Sequence, residues 1–369
     1  MLTGGGTGGH VYPALAIADV IKRNVPDARI AFVGTKRGIE NKLVPAEGYS
    51  LYHIEIQGIR RSLSLANLRT AYLVATSPRK ARKIIEEFKP DLVIGTGGYV
   101  CWPLLRAASS MGIPSMVHES NALPGVAVRQ LQKRVDVILT NFEETAQLLK
   151  ATDKIVNVGN PLRRACGTVS REEARAKLGI PADKQFVILS FGGSLGAPRL
   201  NEAAIDVMRG YVTHHKEALH IHSGGSRQYP NAKELFDSYH LTEEQGAVLK
   251  EYIYEMPLYM AAADLVICRA GAMTLTELAV MGKPAILIPS PNVTDNHQYK
   301  NAKVLADGDA AILLEEKDLT AESICEAVRR VAENGSLRKQ MSEKIRGFAR
   351  EDAGRRIYEE ITALLNKKS

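Results

Sequence analysis

Several glycine-rich segments hold the residue types that bind phosphate and activate a hydroxyl. Gly4-Gly5-Gly6-Thr7-Gly8-Gly9-His10 matches G-x-G-x-x-G and opens a helix. Glycines there let backbone N–H groups approach a phosphate, or a polar acceptor substrate, at the positive helix end. His10 falls at that N-terminus, where the dipole disfavours imidazolium and keeps the ring ready to accept a proton. The alternative is a histidine that only hydrogen-bonds at the turn. The most specific stretch is Arg269-Ala270-Gly271-Ala272-Met273-Thr274-Leu275-Thr276-Glu277. A strand ending at Cys268 and a helix beginning near Ala272 offer N–H groups suited to a diphosphate, worth about 1 kcal/mol. Glu277 falls within the first turns of that helix, where a carboxylate can accept both hydroxyls of a ribose. Favourable first-turn charge with no ligand is the competing explanation.

Further turns follow the same logic: Gly95-Thr96-Gly97-Gly98-Tyr99 after a strand, Gly192-Gly193-Ser194-Leu195-Gly196-Ala197 before a helix, and Ser223-Gly224-Gly225-Ser226. Each alone reads equally as a plain tight turn. Several in one chain, each at a strand's carboxyl end, indicate a cleft lined by backbone donors. His118-Glu119 and Asn121 lie just past a strand, near the same edge. A nicotinamide dinucleotide is the first alternative ligand for such turns. Against it, the second strand, residues 29–33, ends in Gly34-Thr35 rather than the acidic residue that grips an adenosine ribose. The strand before the first glycines is only Met1-Leu2-Thr3, either very short or truncated.

These residues need a scaffold of alternating strands and helices. Strand-like runs at 29–33, 91–94, 115–118, 135–140, 186–191, 219–222, 265–268 and 285–288 alternate with helical patterns such as 13–23, 198–209 and 274–281. That alternation specifies an α/β protein with parallel sheets. At 369 residues the chain exceeds a single core of about 250–300 residues, and the strand–glycine turn–helix order restarts near residue 186. The break is placed at Gly159-Asn160-Pro161, after a strand at 155–158. The expected architecture is two Rossmann-like doubly wound lobes, residues 1–160 and 161–345, facing a central cleft beyond the strands' carboxyl ends. The stretch 342–365 reads as helical, and residues 346–369 are expected to cross back as a helix to the first lobe.

Composition is that of a globular protein, 45% hydrophobic and 24% charged. Cys101, Cys166, Cys268 and Cys325 form no Cys-x-x-Cys pair, which argues against a zinc ribbon or disulfide framework and fits a reducing compartment. No signal-peptide pattern opens the chain and no run approaches the ~18 apolar residues of a membrane span, so a soluble cytoplasmic chain is expected. Net charge is +7, and the seven basic residues Arg60, Arg61, Arg69, Arg79, Lys80, Arg82 and Lys83 lie between Gly58 and Ile85 with no acidic one. Such a run is a solvated helix face, or an attraction to something anionic: nucleic acid or a membrane surface.

The ordered set of motifs resembles the MurG family of bacterial glycosyltransferases over nearly the whole length. The shared segments are Gly4 to His10, Gly97-Gly98-Tyr99, His118-Glu119-Ser120-Asn121, Gly159-Asn160-Pro161-Leu162-Arg163, Gly192-Gly193-Ser194, Arg269 to Glu277, and Asp295-Asn296-His297-Gln298. The resemblance implies a GT-B fold and an inverting, metal-independent hexosyl transfer that uses no cofactor. N-acetylglucosamine would move from UDP-N-acetylglucosamine to the C4 hydroxyl of the muramyl sugar of lipid I, giving lipid II for peptidoglycan synthesis. By the same resemblance the second lobe holds the donor, with the backbone of Ile253 at the uracil and Glu277 at the ribose. Ser194 with Ala272, Met273 and Thr274 would meet the diphosphate, and Arg163 would lie near it. Asn121 and Gln298 would read the sugar hydroxyls, with Thr7, Gly8 and Gly9 closing from the first lobe. His10 would be the base, with Tyr99, His118 and Glu119 on the acceptor side. The family often has Gln where Ser120 and His297 stand: the first change shortens that loop's reach, the second makes a sugar contact pH-dependent.

A lipid-tethered acceptor also gives the basic segment a use. Leu65, Leu68 and Tyr72 fall on one helical face beside Arg60, Arg61 and Arg69. Near an anionic bilayer each cation contributes about 1 kcal/mol, which suits reversible docking. Expected partners are therefore the two substrates, the anionic cytoplasmic face of the cell membrane, where the chain would be peripheral, and proteins of cell-wall synthesis. Nucleic acid is not expected, since no aromatic interleaving accompanies the charge. The alternatives are a related transferase acting on diacylglycerol and a membrane-docked scaffold without catalysis.

Overall fold

Runs of Val, Ile, Leu and Phe that are buried on both faces build two parallel sheets in this computed structural model, which describes residues 1–57, 66–162 and 166–368. Strands of this kind occur where helices cover both faces of a sheet. The chain divides into two units, Met1–Arg163 with Arg350–Ser369, and Arg164–Ala349.

In the first unit the described strands are β1 (Leu2–Thr3), β2 (Ala31–Gly34), β3 (Ser50–His53), β4 (Val93–Gly95), β5 (Ser115–Glu119), β6 (Val137–Thr140) and β7 (Ile155–Asn157). They lie in the order β3-β2-β1-β4-β5-β6-β7, all parallel. One face is covered by the helix Gly8–Asn24, through Val11, Leu15 and Ile17, together with the helix Ala353–Lys368, through Ile357, Ile361 and Leu364. The other face packs on Ala81 and Ile85 of the helix Ala66–Phe88 and on Leu104 and Leu105 of the helix Cys101–Ser110.

The second unit carries β8 (Phe186–Phe191), β9 (Ala218–Ser223), β10 (Ala247–Lys250), β11 (Leu265–Cys268), β12 (Ala285–Leu287) and β13 (Ala311–Leu313), in the order β10-β9-β8-β11-β12-β13. Its core joins Ile188 and Ile267 to Leu200, Val207, Ile324 and Val328 on the covering helices. In both sheets the order of strands reverses once, between β1 and β4 and between β8 and β11. At such switch points the connecting loops diverge and leave a crevice at the carboxyl ends.

Two expectations need correction. The stretch 342–365 is not one helix: Gly347 ends the helix Gly335–Arg346, and a second helix runs Ala353–Lys368. The helix expected over 13–23 begins at Gly8, so Pro13 lies inside it. A cavity of about 440 Å³ at the amino ends of β11 and β12 is lined by Lys283, Arg338 and Arg346. These cations serve three helix ends. Lys283 Nζ donates to Ala261 O at 2.6 Å and Ala263 O at 2.8 Å, and Arg346 Nη2 donates to Met281 O at 3.3 Å. Arg338 Nη1 donates to Val331 O at 2.9 Å and also to Ala332 O. Cations there offset the negative partial charge of helix C-termini. Among the described residues, no helix is long and apolar enough to cross a membrane.

Candidate active site

The first unit's switch point brings together the turn after β1 and the turn after β4. His10 is the third residue of its helix, half-buried, with Nδ1 3.2 Å from Thr96 O. A carbonyl only accepts, so the ring proton is assigned to Nδ1 and the accepting lone pair to Nε2. Thr96 Oγ1 donates back to His10 O at 2.6 Å, which fixes the two turns together. The imidazole rests on Gly97, where φ is +107° and an added Cβ would stand 2.5 Å from Nδ1. Glycine is required there both by conformation and by space. Thr7 and Gly9 are exposed and Gly8 is half-buried at the same helix start. The Tyr99 ring flanks Gly6, and burial, then the charge of Glu40, raise its phenol pKa.

Glu40 is a residue that sequence reasoning passed over. It is 1% exposed; its Oε2 accepts from Gly6 N at 3.1 Å, and Oε1 accepts from Thr35 N and Thr35 Oγ1, both at 2.8 Å. A buried carboxylate thus holds the first glycine turn from beneath. As an acid opening the helix Glu40–Ala46, it reads in sequence as ordinary surface charge.

His118 and Glu119, expected on the acceptor side, are interior groups. His118 is fully buried, donates from Nε2 to Gly159 O at 2.9 Å, and is driven by burial down to a pKa of about 4. Ser120, also buried, has Oγ 3.4 Å from His118 Nδ1. Glu119 is pushed upward by burial. It accepts from Asn121 N at 3.0 Å, Asn121 Nδ2 at 3.1 Å and Gly125 N at 2.7 Å, and so orients the half-buried Asn121.

In the second unit, the helices Pro198–Gly210 and Ala272–Met281 start after the adjacent strands β8 and β11. Their first turns leave N–H groups without helical partners and carry positive partial charge. Between them lies a cavity of about 470 Å³ lined by Gly192, Gly193, Gly196, Gly271, Thr274 and Gln298, among others. Gln298 is oriented by Ser290 N, which donates to its Oε1 at 2.9 Å. Arg269 and Glu316, neither of them singled out in sequence as a site residue, also line it and pair at 2.7 Å.

Of the expected donor residues, Thr274 and Gln298 line this cavity. Ser194, Ile253, Ala272, Met273 and Glu277 stand on the surrounding loops and helix and are not part of its lining. Glu277 is in the second turn of its helix, half-buried, with Cys166 Sγ 3.9 Å from Oε1. Arg163, Arg60, Arg61 and Leu65 lie outside the described residues, as do the side chains of Leu68 and Arg69. Tyr72 is 67% exposed on the helix Ala66–Phe88, and Arg79, Lys80, Arg82 and Lys83 of that helix are exposed as well. Among the described residues, no group of three or more His, Cys, Asp or Glu is gathered as a metal site.

Comparison with known proteins covers the whole chain. Residues 1–140 match the Glycosyltransferase family 28 N-terminal domain and residues 187–357 the Glycosyltransferase family 28 C-terminal domain. A Caldanaerobacter subterraneus subsp. tengcongensis protein is 42% identical over 364 residues, 99% of both chains. Its name is UDP-N-acetylglucosamine--N-acetylmuramyl-(pentapeptide) pyrophosphoryl-undecaprenol N-acetylglucosamine transferase. The Bacillus subtilis (strain 168) protein of the same name is 39% identical over 363 residues, 98% of both. Among solved structures, Acinetobacter baumannii MurG aligns with a TM-score of 0.77 at 29% identity, covering 98% of this chain and 99% of that one. The structure of S. aureus MnaA with UDP, at a TM-score of 0.70 and 16% identity over 99% of this chain and 96% of that one, shares the fold.

Proposed function

The chain belongs to the UDP-N-acetylglucosamine--N-acetylmuramyl-(pentapeptide) pyrophosphoryl-undecaprenol N-acetylglucosamine transferase family, and from that premise we propose how its residues divide the work. It is a hexosyltransferase of GT-B fold, and it moves N-acetylglucosamine from UDP-N-acetylglucosamine to the muramyl pentapeptide of lipid I, giving lipid II. His10 is the base. The observation that carries this assignment is the Nδ1 contact with Thr96 O at 3.2 Å, which leaves Nε2 to take a proton. As Nε2 removes the proton of the C4 hydroxyl, that oxygen bonds to the anomeric carbon. The bond from that carbon to the UDP oxygen breaks, its electron pair leaves with UDP, and the configuration inverts.

The donor diphosphate occupies the 470 Å³ cavity, where two helix N-termini stabilise the charge that grows on the leaving group. Thr274 and Gln298 contact the donor there. Glu277 takes the ribose hydroxyls, the Ile253 backbone takes the uracil, and Ser194, Ala272 and Met273 complete the diphosphate turn. Asn121, held by Glu119, reads a sugar hydroxyl of the donor, Thr7, Gly8 and Gly9 contact the donor as well, and Tyr99 lies on the acceptor side. The exposed Tyr72 and the exposed cations Arg79 and Lys83 support peripheral docking on an anionic membrane, where a polyprenyl-linked acceptor resides.

The test is UDP release from UDP-N-acetylglucosamine with a short-chain lipid I analogue or with diacylglycerol. Release is expected with the first acceptor alone. His10→Ala should lower it about 10²–10⁴-fold, the usual range for general base catalysis, with UDP binding retained. Release with diacylglycerol alone overturns the acceptor assignment, and an undiminished His10→Ala overturns the base.

A further inference from the structure

Behind the donor cavity the second unit buries four polar side chains that the transfer does not use. Ser190 lies on β8, His220 and His222 on β9, and Asn201 on the helix Pro198–Gly210; the first three are fully buried and Asn201 is 3% exposed. Ser190 and His222 are register partners across the two strands. Ser190 Oγ stands 2.7 Å from His220 Nε2 and 2.7 Å from His222 Nδ1. His222 Nε2 is 3.1 Å from Asn201 Oδ1, and Asn201 Nδ2 donates to Gly224 O at 2.9 Å.

His222 Nδ1 also lies 3.1 Å from the Ser190 carbonyl oxygen, and a neutral ring has one proton to give, to that carbonyl or to Asn201; the relay is continuous when Asn201 takes it. In that state Asn201 Nδ2 donates to Gly224 O, Oδ1 accepts, and His222 Nε2 carries the ring proton. His222 Nδ1 then accepts from the Ser190 hydroxyl, and that hydroxyl oxygen accepts from His220 Nε2. The proton on Nε2 leaves a bare lone pair on His220 Nδ1, the one ring nitrogen here that lacks a partner. Every donor in the chain is therefore matched with both rings neutral. Burial favours that state, lowering His222 to about 4 and His220 well below its ordinary value.

The chain ends on a carbonyl against which the cavity wall is seated. A Cβ on Gly196 would stand 2.0 Å from Gly224 O, and one on Gly225 would stand 2.0 Å from Gly196 N. Gly196 lines the donor cavity with Gly192 and Gly193. The Gly224–Gly225 turn is also held by Gly224 N to Lys250 O and Gly225 N to Glu251 O, both at 2.9 Å, while Gly225 O accepts from Gln228 N at 3.1 Å and Tyr229 N at 2.8 Å; the hydrogen bond to Gly224 O is the one that Asn201 supplies.

We propose that Ser190, His222 and Asn201 are positioning residues for the donor, a buried hydrogen-bond relay that sets the glycine wall against which the nucleotide diphosphate binds. The inference rests on the assignment of that cavity to the donor. Losing a link lets the Gly224 carbonyl, and with it Gly196, relax away from the donor, while the acceptor-activating turn of the first unit is untouched.

The test compares Ser190→Ala, Asn201→Ala and the hydroxyl-retaining Ser190→Thr with the unsubstituted enzyme. UDP affinity is read by titration calorimetry, and donor KM and kcat by UDP release with the lipid I analogue. The two alanine variants should raise UDP Kd and donor KM about tenfold, the worth of roughly one hydrogen bond, with kcat within twofold. Ser190→Thr should restore most of the affinity. If Ser190→Ala does not fold, Asn201→Ala carries the test, because it removes the last link and leaves both strands intact. Thr274→Ala, at a residue of the cavity lining assigned to the diphosphate, separates the two levels of the argument. If it weakens UDP binding while the relay variants do not, the relay is wrong and the donor site stands. If none of the four changes UDP binding, the donor site itself is misassigned. A fall in kcat with Kd unchanged also overturns the relay.

Discussion

Gly97→Ala isolates the contact that orients the base. The new methyl would lie 2.5 Å from His10 Nδ1, against 3.4 Å for an ordinary contact, so the ring must retreat by about 0.9 Å or the turn must open. A displacement of about 1 Å in a reacting group costs on the order of 10²-fold in rate. The substitution also places an L-residue at φ +107°, at about 1–2 kcal/mol of backbone strain. Gly112→Ala supplies the control, since its φ is +72° but nothing lies within 4 Å of the added methyl. Both variants should lose similar stability in urea unfolding. Only Gly97→Ala should lose about 100-fold in kcat for UDP release with the lipid I analogue, and UDP affinity measured by calorimetry should be unchanged in both. Retention of activity within threefold in Gly97→Ala, or an equal loss in Gly112→Ala, would refute the role given to the Thr96–Gly97 turn.

Two other outcomes follow from buried ionisable groups. Glu40→Gln leaves an amide oxygen to accept from Thr35 but turns an NH₂ toward Gly6 N, so it should cost about 1–3 kcal/mol of stability, read as a lower urea midpoint. The Tyr99 phenol, raised in part by the Glu40 charge, should then titrate lower in an absorbance titration. His118 has a folded pKa of about 4, below the ~6.5 of a free histidine, so the unfolded chain binds more protons between those values. Its contribution is complete above about pH 6.5 and is lost as pH falls toward 4. His118→Gln keeps a donor for Gly159 O and should shrink the stability difference between pH 7.5 and pH 5 by about 2 kcal/mol. An unchanged pH dependence would show that this ring does not titrate as its burial requires.

What was legible in the sequence follows from how local each signal is. β8 and β11 are continuous apolar runs ended by glycine turns, and their limits were read as they stand. β3, β10 and β13 went unseen, being edge strands of three or four residues with mostly half-buried side chains that show neither a buried run nor alternation. His10 was legible from its place at a glycine turn, but its partner Thr96 lies 86 residues away and meets it only because β1 and β4 are neighbours. The burial of His118 gave no sequence signal, because adjacency to a turn suggests access, whereas β5 is an interior strand covered on both faces. Glu40 and the Ser190–His222–Asn201 series gave no signal at all, because what defines them is a partner distant in the chain.

The helix Ala353–Lys368 has a consequence for biosynthesis. Ile357, Ile361 and Leu364 fill the same core as Leu2, Val11 and Ile17, so residues at opposite ends of the chain complete one another. The segment 164–349 is contiguous, so it is synthesised whole before the helix Ala353–Lys368. The earlier-made segment must wait, part of its apolar sheet face uncovered, until residues 353–368 are made. A nonsense codon in place of that of Ile357 therefore reaches a distant part of the polypeptide: it strips part of the cover from the sheet that presents His10 and should yield an insoluble product.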